Sequence, residues 1–184
     1  MKVLYIHGIN GSPNGMTATG VKNFFGARNV IAEQFDLLKY DQTLNRINDL
    51  IKQYKINLIV GHSLGGFYTF ALKNNSIPKI VINPCMIPSV SVKHFINLGP
   101  LSTVALSAVL GKNIASIEKD LYKFNHQKYF GAFADHDEFP SFKDFFDQKT
   151  TKSKSIILKN AHHRLDGVQM SKVLNSAMSY FKKV

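Results

Sequence analysis

The chain has 184 residues, of which 45% are hydrophobic and 19% are charged, so it is long enough to bury a core and is not a disordered chain. It carries 23 lysine and arginine residues against 12 acidic ones, a net charge of +11, but its arginines are only Arg28, Arg46 and Arg164. Arginine is the usual reader of phosphates and guanine edges, and no nucleic-acid-binding motif is present, so a nucleic-acid partner is not expected.

Short β-rich segments alternate with helical segments along the chain, which is the pattern of a parallel sheet covered by helices. Strands are expected at residues 2–6, 30–35, 56–60, 79–82, 128–134 and 155–158. Helices are expected at residues 17–26, 43–54, 67–74 and 168–181. The pattern therefore predicts an α/β fold with a mostly parallel sheet of about six strands flanked by helices.

Residues 85–125 interrupt this alternation, and they far exceed the roughly dozen residues that a plain crossover between two strands needs. The segment 95–111 is uncharged and largely apolar, but Gly99 and Pro100 break it and it is too short to span a bilayer. We therefore expect one domain, residues 1–184, with a small cap at approximately 85–125 that forms a pocket wall. Peripheral contact with a membrane surface, or a dimer contact, is the alternative role for the apolar segment.

The segment 61–66, GHSLGG, lies where the strand at 56–60 must turn into the helix at 67–74. This context is typical of a nucleophile elbow, in which a serine sits on a strained strand-to-helix turn between glycines. Such a turn lifts the hydroxyl of Ser63 above the strand ends, and the helix N-terminus behind it favours developing negative charge. The pattern therefore predicts Ser63 as a nucleophile and the backbone N–H of Leu64 as an oxyanion donor.

A serine hydroxyl is a weak nucleophile, so a histidine base and a carboxylate that orients it are needed. In α/β-hydrolases the chain order is serine, acid, histidine, and the base lies between the last strand and the last helix. His162 and His163 occupy that place; His163 is the preferred base and His162 is the alternative. The other histidines after the serine are assigned elsewhere: His94 and His126 to the cap or surface, and His136 to the acidic segment.

The acid is expected where the strand at 128–134 runs into the sequence DHDEFP. Hydrolases often show a small residue, an acid three positions later and a proline three positions after that, and Asp137 fits this spacing. Asp137 is therefore preferred over Asp135, with Glu138 third. A solvated acidic turn would explain any one of these carboxylates, but not why one falls between nucleophile and base at a strand end.

The loop after the first strand, residues 7–11, resembles the His-Gly segment of esterases and lipases. The backbone N–H of Ile9 is the expected second oxyanion donor, with Asn10 as the alternative. His7 is expected to brace this loop rather than to act as a base. Asn10 and Met86 are the candidates for the substrate pocket.

Cys85 is the single cysteine, which excludes an internal disulfide and favours a reducing compartment. It has no histidine near it in sequence and is expected to be a small buried hydrophobe. The start of the chain lacks the layout of a signal peptide, so a cytoplasmic location is expected. The sequence contains no metal-ligand cluster, phosphate loop or dinucleotide motif, and neither a metal nor a cofactor is expected.

Taken together, these segments resemble the small YqiA-like esterase family of α/β-hydrolases. The matching segments follow the family's order over nearly the whole chain: 4–13, 61–68, 82–84, 137–138 and 163–167. The resemblance implies a minimal α/β-hydrolase fold and esterase or thioesterase activity on acyl substrates, with Ser63, Asp137 and His163 as the triad. The segment 86–88 lacks the basic residue expected before its proline, and the cap has no recognisable match, so acyl or partner specificity does not carry over.

A serine hydrolase of acyl esters or thioesters is therefore the expected function, with a small-molecule substrate. An amidase or peptidase with the same triad is the alternative among enzymes, because the sequence does not separate leaving groups. A binding or regulatory protein on a hydrolase fold is the alternative outside them, although that role has no need of a complete triad. The positive charge would suit an anionic carrier such as an acyl-CoA, and otherwise reflects composition.

Overall fold

The structure, a computed structural model, describes residues 1–72, 76–95, 117–119, 128–150 and 153–183. Its strands are β1 (Val3–Ile6), β2 (Val30–Ala32), β3 (Leu58–His62), β4 (Lys79–Ile82), β5 (Tyr129–Ala134) and β6 (Lys154–Leu158). They form one sheet of six strands in the order β2-β1-β3-β4-β5-β6, and every neighbouring pair is parallel. The mostly parallel sheet of about six strands expected from the sequence is confirmed.

The four central strands are covered on both faces, which explains why their sequences are continuous apolar runs rather than alternating patterns. Every residue of β1, β3, β4 and β5 is buried. β6 lies at one edge of the sheet, and its Ile157 is 48% exposed. The carboxyl ends of the central strands meet at one end of the sheet, which is where open α/β sheets bind their ligands.

Helices cover both faces of the sheet, as an α/β fold requires. They are α1 (Met16–Phe25), α2 (Tyr40–Tyr54), α3 (Leu64–Ala71), α4 (Pro88–Phe95), α5 (Lys143–Lys149) and α6 (Gly167–Phe181), with a 3₁₀ turn at Ala27–Asn29. Apolar side chains of α1 and α6 pack on one face, in a cluster with Val3 and Ile80. Side chains of α2 and α3 pack on the other face with Leu4 and Ile59, so the molecule has three layers.

Some element boundaries differ from those expected, each for a local reason. β2 ends at Ala32 rather than at residue 35, because the N–H of Phe35 donates to the His7 ring instead of to a neighbouring strand. α3 begins at Leu64 rather than at residue 67, directly after the serine of the turn. α5 is not expected from the sequence, because this short segment has adjacent phenylalanines and no clear helical period.

The expected cap, approximately residues 85–125, is described only in part. α4 opens it, and residues 117–119 are helical; Glu118 accepts hydrogen bonds from the N–H and the hydroxyl of Ser89 at 2.8 and 2.7 Å. Most of the apolar segment 95–111, His126 and the side chain of His94 lie outside the described residues, so the cap stays a prediction. None of the described helices is long and apolar enough to cross a membrane.

Candidate active site

Ser63 occupies the tight turn between β3 and α3, at the carboxyl end of the sheet. Its backbone has φ 53° and ψ −123°, a conformation that L-residues rarely adopt and that costs about 1–3 kcal/mol. Hydrogen bonds hold it there: the Ser63 N–H donates to the carbonyl of Ile82 at 3.0 Å, and the Ser63 carbonyl accepts from the N–H groups of Gly66 and Cys85 at 2.8 and 2.9 Å. The turn therefore has the strained geometry that the motif predicts.

Glycine is required around this turn because other parts of the backbone pass too close for a side chain. A Cβ at Gly65 would collide with the carbonyl oxygens of Ile6 and His7, at the end of β1. A Cβ at Gly8 would lie 2.6 Å from the Cβ of Ser63. The loop after β1 therefore lies directly against the serine, which is where a second oxyanion donor would have to be.

The structure brings Asp137 and His163 into direct contact. Nδ1 of His163 lies 2.9 and 3.1 Å from the two carboxylate oxygens of Asp137, and these side chains are 13% and 8% exposed. Because a carboxylate accepts, Nδ1 is the donor, and in the neutral ring Nε2 is then the nitrogen that can take a proton. Asp137 also accepts from the N–H of Phe139 at 2.9 Å, and the Phe139 ring packs edge-on at 4.5 Å from the His163 ring.

The alternative acid and base candidates have other partners. Asp135 accepts from the N–H of Ala161 at 3.2 Å, so it braces the loop that carries the histidines. Nδ1 of His162 lies 2.8 Å from Oε1 of Glu138, and this second pair is exposed at the surface. The other oxygen of Glu138 accepts from the backbone N–H of His163 at 3.0 Å. Of the candidate pairs, Asp137 and His163 form the less exposed one.

Two side chains that the sequence analysis does not single out hold the backbone of His163. Nε2 of His62 donates to the His163 carbonyl at 2.9 Å, and Nδ2 of Asn83 donates to the same oxygen at 2.9 Å and to the carbonyl of His162 at 3.2 Å. Oδ1 of Asn83 accepts from the N–H of Ala134 at 2.7 Å. The one available signal is position: His62 precedes the serine, and Asn83 directly follows β4.

Two buried histidines near the site are held in the neutral state. Burial is the main cause that lowers the pKa of His62 to about 3, and the nearby His163 adds to it. Burial also lowers the pKa of His7. Nε2 of His7 accepts from the N–H of Phe35 at 3.0 Å, so its Nδ1 is the atom that donates to the carbonyl of Gly8 at 2.7 Å. His7 thus braces the loop after β1, as predicted.

Ser63 and His163 line one cavity of about 680 Å³, a volume within the range of small-molecule sites. The loop after β1 forms one wall, and both Ile9, the expected oxyanion donor, and Asn10, the expected pocket residue, line it. The backbone of Asn10 has a φ of 53°, a turn conformation that asparagine tolerates. Leu64, the other expected donor, is the first residue of α3.

Met86 does not lie where the sequence analysis places it. Instead of lining the cavity, its side chain is fully buried in a core cluster with Phe70, Val81 and Phe146. A flexible apolar thioether fills gaps in a core well, and burial of this size is worth about 1.5–3 kcal/mol. The prediction that Met86 forms part of the substrate pocket is therefore wrong.

Cys85 is buried and unpaired, as expected for a small hydrophobe, and burial raises the pKa of its thiol to about 12. It packs in the cluster that α2 and α3 share with β1 and β3. The described residues contain no group of three or more histidine, cysteine, aspartate or glutamate side chains that could hold a metal ion.

Solved structures similar to this chain include several esterases of low sequence identity. Est1E from Butyrivibrio proteoclasticus matches with a TM-score of 0.73 at 15% identity, over 98% of this chain and 86% of that chain. The α/β-hydrolase MGS-MChE2, from a lagoon-sediment metagenome, matches with 0.72 at 14% identity, over 100% and 91%. The esterase EaEST from Exiguobacterium antarcticum matches with 0.66 at 15% identity, over 99% and 92%. At these identities the likeness establishes the α/β-hydrolase fold alone.

The family comparison covers nearly the whole chain. No curated protein matches the sequence. The model of the uncharacterised protein family UPF0227 matches residues 2–181, and together with the hydrolase neighbours this confirms the resemblance inferred from the motifs. The chain therefore belongs to the UPF0227 family and has the α/β-hydrolase fold.

Proposed function

We propose that this protein is a serine hydrolase that cleaves carboxylic esters or thioesters through an acyl-enzyme. The observation that carries the proposal is one juxtaposition. Ser63 sits on a strained turn and lines the same cavity as His163, whose Nδ1 donates to the buried carboxylate of Asp137. A nucleophile, a base and an orienting acid are the three groups that acyl transfer to serine requires.

In the proposed first step, Nε2 of His163 takes the proton of the Ser63 hydroxyl as Oγ attacks the carbonyl carbon of the acyl group. The carbonyl oxygen becomes an oxyanion, and the backbone N–H groups of Ile9 and Leu64 donate to it. The bond to the leaving oxygen or sulfur then breaks, and His163 returns the proton to that atom. The product is an ester between the acyl group and Ser63.

In the second step, water replaces the leaving group. His163 takes one proton from the water while the resulting hydroxide attacks the acyl-enzyme, and the second tetrahedral intermediate expels Oγ of Ser63, which regains the proton. Asp137 keeps the hydrogen of neutral His163 on Nδ1 and stabilises the imidazolium in both steps. His62 and Asn83 hold the His163 backbone and act as positioning residues.

Three further observations support this proposal. The cavity lies at the carboxyl end of a parallel sheet, the usual ligand-binding edge of such folds. Several of the structural neighbours are esterases, and Est1E is known with ferulic acid, a carboxylic acid, bound. The proposal also includes a cytoplasmic location and a cap, at approximately residues 85–125, that lies beside the acyl chain of the substrate.

The test is turnover of three substrates: para-nitrophenyl butyrate, a long-chain acyl-CoA and a peptide anilide. We expect the ester or the thioester to be hydrolysed and Ser63→Ala to abolish the activity. Ser171→Ala, which removes an exposed hydroxyl from α6, is the matched control and should behave as wild type. Cleavage of the anilide alone would make the protein an amidase, and no serine-dependent turnover of any substrate would contradict the proposal.

A further inference from the structure

Arg164 directly follows His163 and lines the cavity that holds Ser63. The chain after Arg164 is anchored in the core, because the side chain of the next residue, Leu165, is fully buried. Asp166 then caps α6, accepting from the N–H of Gln169 at 2.7 Å. The arginine is therefore presented to the cavity from a rigid part of the chain.

Among the described residues, none gives the guanidinium of Arg164 a counter-ion or a hydrogen bond, and Arg164 is exposed. Arg46 shows the contrast, since its Nε and Nη2 donate to the two carboxylate oxygens of Glu33 at 2.9 and 2.6 Å. Because Arg164 lies on the cavity wall and no carboxylate of the described residues binds its guanidinium, the guanidinium keeps its five donors for a ligand.

The carboxylate that shares the cavity wall is already engaged. Oε1 of Glu138 lies 2.8 Å from Nδ1 of His162, and its Oε2 accepts from the N–H of His163 at 3.0 Å. Burial raises the pKa of Glu138, but the hydrogen bonds to its carboxylate, with those from His163 and His162 among them, together outweigh burial and hold the pKa below its usual value. Both oxygens are thus committed to the histidine segment rather than to Arg164.

The positive charge of Arg164 also acts on the inner wall of the cavity. Burial is the main cause that lowers the pKa of His62, and Arg164 adds to that effect. Burial raises the pKa of Tyr5, and the same arginine opposes that rise. His62 and Tyr5 both line the cavity, so the positive charge of Arg164 is felt by groups on the cavity wall.

We propose that Arg164 binds an anionic group, a carboxylate or a phosphate, of the substrate and makes the enzyme prefer acidic acyl esters or thioesters. This inference rests on the proposed function, because it assigns the substrate class of the same site. Two oxygens of a carboxylate or a phosphate can accept two parallel hydrogen bonds from the planar guanidinium of arginine, whereas the ammonium group of lysine offers only a point charge. The net charge of +11 would help such substrates to reach the cavity.

Two matched substrate pairs test the inference and locate the anion. Mono-para-nitrophenyl glutarate against para-nitrophenyl butyrate places a carboxylate on the acyl side. Butyryl-CoA against the neutral thioester S-butyryl-N-acetylcysteamine places phosphates on the leaving-group side. We expect wild type to show a higher kcat/KM for the anionic member of at least one pair.

The variants then decide whether Arg164 is responsible. Arg164→Gln should lower the anionic-to-neutral ratio of kcat/KM by about tenfold or more, as loss of a charged hydrogen bond does, and Arg164→Lys should lower it less. Arg28→Gln removes the same charge outside the cavity wall and should keep the wild-type ratio. An unchanged ratio in Arg164→Gln, with neutral esters still cleaved in a Ser63-dependent way, would overturn this inference alone. No Ser63-dependent turnover of any ester would instead overturn the proposed function.

Discussion

The imidazole of His62 donates its Nε2 hydrogen to the backbone carbonyl of His163 at 2.9 Å, and the centres of the two rings lie 4.9 Å apart. The residue that precedes Ser63 thus supports the backbone of His163, which lines the same cavity as Ser63. Because His62 is the last residue of β3, the turn that strains Ser63 and the loop that carries His163 are tied to the same strand. The relative placement of Ser63 and His163 therefore depends on a neutral His62.

That dependence predicts acid sensitivity. With a folded-state pKa of about 3 against an ordinary value of 6.5, His62 binds no proton between these pH values when folded but binds one when unfolded. The contribution of neutral His62 to the free energy of unfolding is therefore fully present above about pH 6.5. Below that pH it falls by about 1.4 kcal/mol per pH unit. Urea denaturation at pH 5 should therefore give a free energy of unfolding about 2 kcal/mol lower than at pH 7.5 because of His62. His7, whose pKa is also lowered, should add to this loss.

His62→Gln is the variant that isolates this effect, because an amide can donate to the same carbonyl but does not titrate. Between pH 7.5 and pH 5, we expect the free energy of unfolding of His62→Gln to fall by about 2 kcal/mol less than that of wild type. His136→Gln, which removes an exposed histidine, is the control and should keep the wild-type pH dependence. Equal pH dependence in wild type and His62→Gln would contradict a buried neutral His62.

A second prediction concerns Asn83, because its side chain links the end of β5 to the loop that carries His162 and His163. Asn83→Ala leaves the N–H of Ala134 and the carbonyl of His163 without these bonds, at a cost of about 2 kcal/mol in the free energy of unfolding. Displacement of His163 should lower kcat by about tenfold with little change in KM.

Two variants make the test of Asn83 specific. Asn83→Asp keeps the acceptor for Ala134 but places a carboxylate against the histidine carbonyls, so it should lower kcat at least as much as Asn83→Ala. Asn48→Ala is the control, since Nδ2 of Asn48 donates within its own helix, to the carbonyl of Leu44 at 3.0 Å. Wild-type kcat in both Asn83 variants would show that the link does not position the base.

The two aspartates at the end of β5 offer a matched pair for the orienting acid. Asp137→Asn replaces an acceptor with a side chain that can donate to Nδ1 of His163, which favours the wrong tautomer and should lower kcat by about 10³- to 10⁴-fold. Asp135→Asn keeps an oxygen for the N–H of Ala161 and should leave kcat near wild type. The reverse order of effects would assign the acid to Asp135.

The packing of the turn predicts a difference between two glycines. In Gly65→Ala the new methyl group meets the backbone oxygens of Ile6 and His7, which cannot rotate away, so thermal and urea denaturation should show a loss of about 2 kcal/mol or more. At Gly167, the first residue of α6, a Cβ meets nothing within 4 Å, and Gly167→Ala should be neutral or stabilising by up to about 1 kcal/mol. Equal losses would contradict this account of the turn.

The sheet and the serine turn are predictable from sequence because both depend on local patterns. Continuous apolar runs identify β1, β3 and β4, and the glycines around Ser63 indicate a turn that only small residues allow. The choice of Asp137 over Asp135 rests on spacing along one strand end. The structure places Asp137 against His163, whereas their catalytic roles stay predictions.

What the sequence does not reveal depends on contacts between distant segments. Asn83 and His163 are 80 residues apart, and they meet only because β4 lies between β3 and β5. Nothing in the sequence around Met86 separates a cavity wall from a core position, since an apolar residue after a strand end suits both. Glu118 and Ser89 are likewise 29 residues apart, and no local pattern indicates that they form a hydrogen bond.

The central claim, that Ser63 is an activated nucleophile, is tested most directly with a fluorophosphonate probe, which reacts covalently with the serine of an assembled serine-hydrolase site. The purified wild-type protein should be labelled, and mass spectrometry should place the adduct on Ser63. Ser63→Ala should not react, and Asp137→Asn should react more slowly. A folded wild-type protein that is not labelled, or a Ser63→Ala variant labelled as fast as wild type, would contradict the claim.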